Sequence, residues 1–226
     1  MAHLSRNYGS SEYWEARYQR DNSLFDWYFD YNEFFEKNIE TLDIKPPVLV
    51  VGCGNSDLSM NLEKSGVYPV ISTDISPTCC RKMADRTGGC YLPMDVCKLQ
   101  FRDNSFPCVI DKGTLDAILC QSHYEISVTK MICEIARVLA PNGVFIEVTF
   151  GKTAEKLNIL DSPDLLPWSL ETIHKVENES GIANIFVFRK FLEVHGINPK
   201  NRLFYLYNDE SSEEESDNDE DEGQQN

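Results

Sequence analysis

The pattern of apolar and polar positions changes at Pro46-Pro47. Before this point Ser11 can N-cap a short helix, and a second helix is predicted from about Asn32 to Leu42. The aromatic stretch DWYFDY, from Asp26 to Tyr31, lies between the two helices. The pattern therefore predicts a helical, aromatic segment over residues 1–42.

After the prolines, short apolar runs alternate with stretches of helical periodicity. The predicted strands are Val48–Val51, Val70–Thr73, Cys90–Leu92, Phe106–Ile110, Val144–Thr149, Trp168–Val176 and Ile182–Phe191. The predicted helices are Ser56–Ser65, Pro77–Arg86 and Ile126–Leu139, with a turn at Pro141-Asn142-Gly143 and an insert from Lys152 to Pro167. Regular alternation of strand and helix predicts an α/β fold. We expect a Rossmann-like, doubly wound seven-strand sheet, mostly parallel, with a C-terminal antiparallel hairpin, over residues 43–207.

The charge of the chain is strongly and unevenly acidic. Of 226 residues, 21 are Lys or Arg and 37 are Asp or Glu, which gives a net charge of −16. Ten acidic residues and no basic ones fall in residues 208–226, so 27 acidic residues accompany 21 basic ones elsewhere. The last segment is predicted to be a disordered acidic tail. The acidic body favours a small molecule or a basic protein as partner.

Several classes of protein are disfavoured by composition. The acidic balance argues against nucleic-acid binding, and no apolar run reaches the roughly 20 residues of a membrane span. The eight cysteines form no CxxC pair, and the four histidines show no ligand spacing, so we expect reduced thiols and no metal site. The N-terminal stretch lacks the apolar region of a signal peptide. We expect a cytoplasmic monomer.

Polar residues follow three neighbouring strands of the predicted sheet. Gly52 and Gly54 come directly after the first strand, Asp74 ends the second and Asp95 follows the third. Glycines at the first position let a ligand approach the backbone, and an acidic residue about 20 residues later can accept ribose hydroxyls. Because the carboxyl ends of parallel strands meet at one edge, we expect one nucleotide-type ligand there.

The residue at the third glycine position of a dinucleotide-binding loop points to the identity of that ligand. It is Asp57, which places a carboxylate where a pyrophosphate would bind. This counts against NAD, FAD and ATP. S-adenosylmethionine carries a sulfonium and an ammonium group in place of phosphates, so the acidic loop favours it as the cofactor.

The motifs together resemble those of class I, seven-strand S-adenosylmethionine-dependent methyltransferases. They are Gly52-Cys53-Gly54-Asn55-Ser56, Asp74, Met94-Asp95-Val96 and Asp111-Lys112-Gly113-Thr114-Leu115-Asp116-Ala117. The last string, with the N-terminal E-Y-W-x-x-R-Y, is similar to the lysine methyltransferases of translation elongation factor 1-alpha. The similarity is greatest to the methyltransferase-like 13 and elongation factor 1-alpha lysine methyltransferase 4 group. It covers about Glu12 to Phe191.

The resemblance implies roles for individual residues. Trp14, Tyr18 and Trp27 would form a lid over the cofactor, and Gly52 would contact its methionine part. Asp74 would hold the ribose, Ile75, Asp95 and Val96 would contact the adenine, and Lys112 would line the floor beside the reactive methyl group. The resemblance also implies a protein-lysine N-methyltransferase acting on elongation factor 1-alpha.

Three functional hypotheses remain open on the sequence. They are the lysine methyltransferase, a small-molecule methyltransferase, and a non-catalytic scaffold that binds S-adenosylmethionine. The fourth strand lacks an Asn/Asp-Pro-Pro-Tyr/Phe motif, which argues against methylation of bases or glutamine amides. No catalytic residue is assigned, although Asp111 and Asp116 lie nearest to the site in sequence.

Overall fold

The computed structural model describes residues 7–161, 166–179 and 181–192. A seven-strand sheet runs through them in the order β3-β2-β1-β4-β5-β7-β6. Strands β1 to β5 are parallel, and β7 pairs antiparallel with both β5 and β6. The predicted fold class is confirmed. The strands are β1 Val48–Val51, β2 Val70–Asp74, β3 Cys90–Pro93, β4 Phe106–Lys112, β5 Leu139–Phe150, β6 Trp168–Asn178 and β7 Gly181–Lys190.

Helices cover both faces of the sheet. They are α1 Ser11–Arg20, α2 Phe35–Asn38, α3 Leu58–Lys64, α4 Pro77–Thr87, α5 Thr114–Ile118, α6 Tyr124–Val138 and α7 Thr153–Leu160, with 3₁₀ turns at Tyr31–Glu33 and Val96–Lys98. None of the described helices combines the length and apolar character that a membrane crossing needs. The predicted acidic tail lies outside the described residues.

Strand β1 lies at the centre of the sheet and all four of its side chains are buried. Alternate side chains of a strand point to opposite faces. Val48 and Val50 share one core with residues of α3 and α4, whereas Leu49 and Val51 share the other with residues of α6 and α7. Burial on both faces explains why the run is uniformly apolar and aligns the strand ends that form the site.

The N-terminal segment differs from the prediction in two places. Ser10, rather than Ser11, N-caps α1, because the Tyr13 N–H donates to Ser10 Oγ at 3.2 Å. The predicted second helix is a 3₁₀ turn followed by the short α2, because the backbone at Phe34 leaves the helical region. The apolar spacing here serves packing of Phe34 and Phe35 against the sheet rather than one continuous helix.

The predicted turn at Pro141-Asn142-Gly143 lies inside the span of β5. The pairing of β5 with β4 jumps from Leu139 to Val144, and Asn142 has a φ of 60°. The turn residues thus form a bulge, after which the strand continues. Two short helices, α5 and α7, were not predicted.

Candidate active site

A cavity opens at the carboxyl ends of β1, β2, β3 and β4. All ten residues proposed from the sequence as cofactor-binding line this one cavity. They are Trp14, Tyr18, Trp27, Gly52, Gly54, Asp74, Ile75, Asp95, Val96 and Lys112. The fold therefore brings together residues from α1, the loop after it and the ends of four strands.

The glycine loop after β1 forms one wall of the cavity. Gly52 and Gly54 both have a φ of +54°, a conformation that glycine adopts without steric cost. A Cβ at Gly52 would lie 1.9 Å from Thr114 Oγ1, which itself donates to the Val51 carbonyl at 3.2 Å. The absence of a side chain thus lets the start of α5 pack directly on the loop.

Asp74 lies at the end of β2 with only 6% of its surface exposed. Its Oδ2 accepts the Gly54 N–H and its Oδ1 accepts the Ser76 N–H, both at 2.9 Å. Burial raises the pKa of this carboxyl to about 6, although the two hydrogen bonds oppose the shift. Each carboxylate oxygen can accept more than one hydrogen bond, so a ligand can still bind to both.

The loops after β2 and β3 form the far side of the cavity. Ile75 is 43% exposed and Val96 is buried. Asp95 is exposed and its Oδ1 accepts the Cys97 N–H at 2.8 Å, which caps the 3₁₀ turn that follows. An apolar pair beside an accessible carboxylate can contact the flat face and the amino edge of a purine.

Aromatic rings cover the cavity. Trp14 stacks on Tyr18 with ring centres 5.9 Å apart and meets Trp27 edge to face at 6.4 Å. Tyr8 and Phe25, which the sequence analysis did not single out, also line the cavity and contact Trp27 at 5.7 and 5.1 Å. The density of aromatic residues in this segment was the available signal that Tyr8 and Phe25 would also line the cavity.

The guanidinium group of Arg17 packs against this aromatic cluster. Its guanidinium carbon lies 5.0 to 5.6 Å from the ring centres of Trp14, Phe25 and Trp27. These rings therefore already stabilise one cation from outside the cavity.

Lys112 is buried at the end of β4. Its ammonium group forms an ion pair with Asp26 at 2.7 Å and donates to the Trp27 carbonyl at 3.2 Å. Lys112 is therefore not a surface lysine. Lys112 thus holds in place the segment Ser23–Tyr28, hereafter the strap, which contributes Phe25 and Trp27 to the lining of the cavity.

The strap is also fixed to the glycine loop. Ser56 Oγ donates to Asp26, and Asn55 bonds the strap twice, through its side chain to Ser23 and through its carbonyl to the Phe25 N–H. Asn55 and Ser56 themselves line the cavity. Both follow Gly54 directly in the sequence, which was the available signal for them.

Asp111 and Asp116 are structural residues here, and neither lines the cavity. Asp111 is fully buried and accepts the N–H groups of Thr114 and Leu115, each at 2.9 Å. Asp116 accepts from four groups and so braces the ends of β5 and α7. The donors are Tyr28 Oη at 2.5 Å, Thr149 Oγ1 at 2.6 Å, the Phe150 N–H at 2.9 Å and Lys156 Nζ. Neither residue is assigned as a catalytic base.

Metal ligation is not supported by the described part of the chain, where no three or more His, Cys, Asp or Glu side chains converge. The chemistry of the cavity is instead that of carboxylates, backbone groups and aromatic rings.

The central part of the chain matches a known protein family. Residues 49–146 match the family described as a methyltransferase domain. Over these residues, which are fewer than half of the chain, the protein is similar to that family. The matched region contains the glycine loop, Asp74, Asp95 and Lys112, and most of the residues that line the cavity belong to it.

Curated relatives resemble the chain over about two thirds of its length. The chain is 36% identical over 157 residues to the mouse "eEF1A lysine and N-terminal methyltransferase", a match that covers 66% of this chain and 22% of the relative. It is 34% identical over 158 residues to the mouse "EEF1A lysine methyltransferase 4", covering 63% of this chain and 61% of that protein. The chain thus spans about a fifth and about three fifths of these relatives.

Solved structures share the fold. A structure from work on the conversion of a disulfide bond into a thioacetal group during echinomycin biosynthesis aligns with a TM-score of 0.65 and 17% identity, over 88% of this chain and 98% of that one. The 1,6-didemethyltoxoflavin-N1-methyltransferase of Burkholderia thailandensis, solved with S-adenosylhomocysteine, aligns with a TM-score of 0.62 and 16% identity. That match covers 84% of this chain and 93% of the enzyme.

Proposed function

We propose that the protein is an S-adenosylmethionine-dependent protein-lysine N-methyltransferase that acts on translation elongation factor 1-alpha. One observation carries the proposal. Ten residues nominated from the sequence for this cofactor line a single cavity, most of whose lining lies in the region that matches a methyltransferase domain. The named relatives, which are lysine methyltransferases of this factor, support the choice of substrate.

The lining of the cavity fits this cofactor better than a phosphate-bearing one. Asp74 and Asp95 contribute carboxylates, and among the lining residues the cationic Lys112 is already paired with Asp26. Asp57, which the sequence analysis placed at this site, precedes α3 but does not line the cavity, and its carboxyl group shares side-chain hydrogen bonds with Asn61 and Asp26. A phosphate in the cavity would instead be repelled by the carboxylates of Asp74 and Asp95, whereas a sulfonium or ammonium group would be attracted to them.

Each wall of the cavity then has a function. The Asp74 carboxylate would accept the ribose hydroxyls, with Ile75 and Val96 against the adenine and Asp95 at its amino edge. The glycine loop would lie along the methionine part. The faces of Trp14 and Trp27 would stabilise the positive charge near the sulfur atom, because aromatic rings attract cations.

The chemistry requires positioning more than proton transfer. The bound cofactor supplies a methyl group on a good leaving group, so the protein mainly aligns the acceptor and excludes water. The strap and the aromatic rings close the cavity to water in this proposal. A lysine with a pKa near 10.4 loses its proton at pH 7.4 at a cost of about 4 kcal/mol, which a nearby positive charge and a partly apolar pocket reduce.

The proposal also covers the charge of the substrate and the oligomeric state and location of the protein. We propose a basic protein substrate, because the body of the chain is acidic and would attract it. A cytoplasmic monomer would have access to such a substrate. Neither nucleic acid nor a membrane is part of the proposed function.

Transfer of tritiated methyl groups from S-adenosylmethionine into a cytosolic extract tests the proposal. We expect one labelled band at the size of elongation factor 1-alpha, lost in Asp74→Ala and retained in a matched control, Asp85→Ala, whose side chain is exposed on α4. Label confined to small molecules would replace the proposal with a small-molecule methyltransferase. Calorimetric binding of the cofactor without any label would favour the non-catalytic scaffold.

A further inference from the structure

Two carboxyl groups lie side by side in the interior of the sheet. Asp111 on β4 is the register partner of Glu147 on β5, and partners in a parallel pair point to the same face. Both residues have 0% of their surface exposed. Two adjacent ionised carboxylates in such a place would repel each other without screening by water.

The two groups differ in what surrounds them. Both oxygens of Asp111 accept backbone N–H groups at the start of α5, which stabilises its ionised form. Among the described residues, no N–H or O–H group donates to either oxygen of Glu147. The neighbour with which Glu147 can share a hydrogen bond is Asp111. A hydrogen bond between two carboxyl groups requires a proton on one of them, and Glu147 is the group without other stabilisation.

The charged groups around the pair favour the same assignment. Asp116 on α5 adds a second negative charge, and Lys156 on α7 is already bonded to Asp116. Tyr28 of the strap donates to Asp116, and the β7 residue opposite Glu147 is Phe186. Burial, followed by the charge of Asp111, raises the pKa of Glu147 well above its ordinary value.

The pair lies directly behind the glycine loop. Asp111 fixes the N–H of Thr114, and the Thr114 side chain packs against Gly52. We infer that Glu147 is a positioning residue: it is neutral, donates a hydrogen bond from its carboxyl O–H to Asp111, and thereby fixes Thr114 and the glycine loop in the shape that binds the cofactor. The link to cofactor binding rests on the proposed function, whereas the proton on Glu147 does not.

Infrared spectroscopy of the cofactor-free protein tests the proton directly. A difference spectrum between wild type and Glu147→Gln near pH 7 should contain the carbonyl stretch of a protonated carboxylic acid. Absence of this band would overturn the inference. The measurement is independent of whether the protein methylates anything.

Two variants then test the positioning role. In Glu147→Gln the amide N–H can still donate to Asp111, so the dissociation constant for S-adenosylmethionine should stay within about threefold of wild type. Glu147→Leu has similar bulk but no donor, and we expect its dissociation constant to rise about tenfold, the loss of one charge-assisted hydrogen bond. Equal losses in both variants would contradict the inference.

The pH dependence of stability adds a readout that does not depend on the leucine variant folding. A raised pKa in the folded state means that wild type loses stability as the pH rises above the ordinary pKa of glutamate. Glu147→Gln cannot titrate, so its melting temperature relative to wild type should increase between about pH 5 and about pH 8. A constant difference across this range would show that Glu147 is ionised throughout.

Discussion

Asp74 shows how one residue combines a structural and a binding role. Its oxygens fix the backbone of the glycine loop and of the turn after β2, so the carboxylate is oriented before any ligand binds. The cost of this orientation is burial, which raises its pKa to about 6.

This raised pKa predicts a pH-dependent affinity. A protonated Asp74 would lose much of its capacity to accept the ribose hydroxyls, so the dissociation constant for S-adenosylmethionine should rise as the pH falls through about 6. Stability of the unliganded protein should move in the opposite direction, because an acid with a raised pKa stabilises the folded state at low pH and loses that contribution as the pH rises. Calorimetry between about pH 5 and pH 8 measures the affinity. Thermal melts between about pH 4 and pH 7 measure the stability, which changes between the ordinary pKa of aspartate and about 6.

Asp74→Asn is the control for this prediction. It should bind the cofactor weakly at every pH and lack the Asp74 contribution to the pH dependence of melting. An unchanged wild-type affinity across the range would contradict the assigned role.

At the scale of residues, the sequence predicts that Gly52, Asp74 and Asp95 lie together, and the structure places all three in the lining of one cavity. Contacts of these residues with a cofactor stay a prediction. Parallel strands end at one edge of a sheet, so position along the chain gives position in space. Asp26 could not be found in this way, because its partner Lys112 lies 86 residues away. Glu147 likewise acquires its role only when β4 and β5 pair.

The strap contributes Phe25 and Trp27 to the lining of the cavity, and we expect access to the site to depend on it. It has no regular secondary structure and is held by side-chain contacts to the glycine loop, to β4 and to the β6–β7 hairpin, where Asn178 Nδ2 donates to the Tyr28 carbonyl. Lys112 contributes the ion pair at the centre of these contacts. The strap should therefore open when that pair is broken.

Lys112→Met tests this. Removing the cation leaves Asp26 without its ionic partner in a mostly buried place, which costs about 3 kcal/mol. We expect weaker cofactor binding by tenfold or more and faster proteolysis within the strap. Lys98→Met, which removes an exposed lysine from the 3₁₀ turn after β3, is the matched control and should behave as wild type. Equal rates of proteolysis in Lys112→Met and Lys98→Met would contradict the expectation that the ion pair of Lys112 holds the strap in place.

At the scale of elements, the sequence predicts the strands and the helices α3, α4 and α6, but not α5 and α7. The strands β1 to β5 and the helices α3, α4 and α6 follow from apolar runs and helical spacing. The five-residue α5 is too short to show a period, and its start is fixed by Asp111, whose carboxylate accepts the N–H groups of Thr114 and Leu115. The break at Phe34 arises because packing of its ring, rather than helix propensity, decides the backbone.

The whole molecule carries a net negative charge, which would attract a basic protein substrate before the two proteins touch. If the substrate is basic, association is accelerated by attraction that salt screens. Raising the ionic strength from about 50 mM to about 300 mM should therefore raise KM for the protein substrate several-fold. KM for the cofactor should change little, because its binding depends on short-range contacts. Initial-rate kinetics at several salt concentrations measure both, and an equal response of the two constants would contradict electrostatic steering.

The central claim is tested most directly by mass spectrometry of purified, unmethylated elongation factor 1-alpha incubated with the protein and S-adenosylmethionine. We predict methylation of a lysine by wild type and by Asp85→Ala. Asp74→Ala should lose about 2 to 3 kcal/mol of cofactor binding and be slower by roughly 30- to 150-fold at limiting cofactor. A factor that stays unmethylated while calorimetry shows wild type bound to the cofactor would contradict the proposed activity.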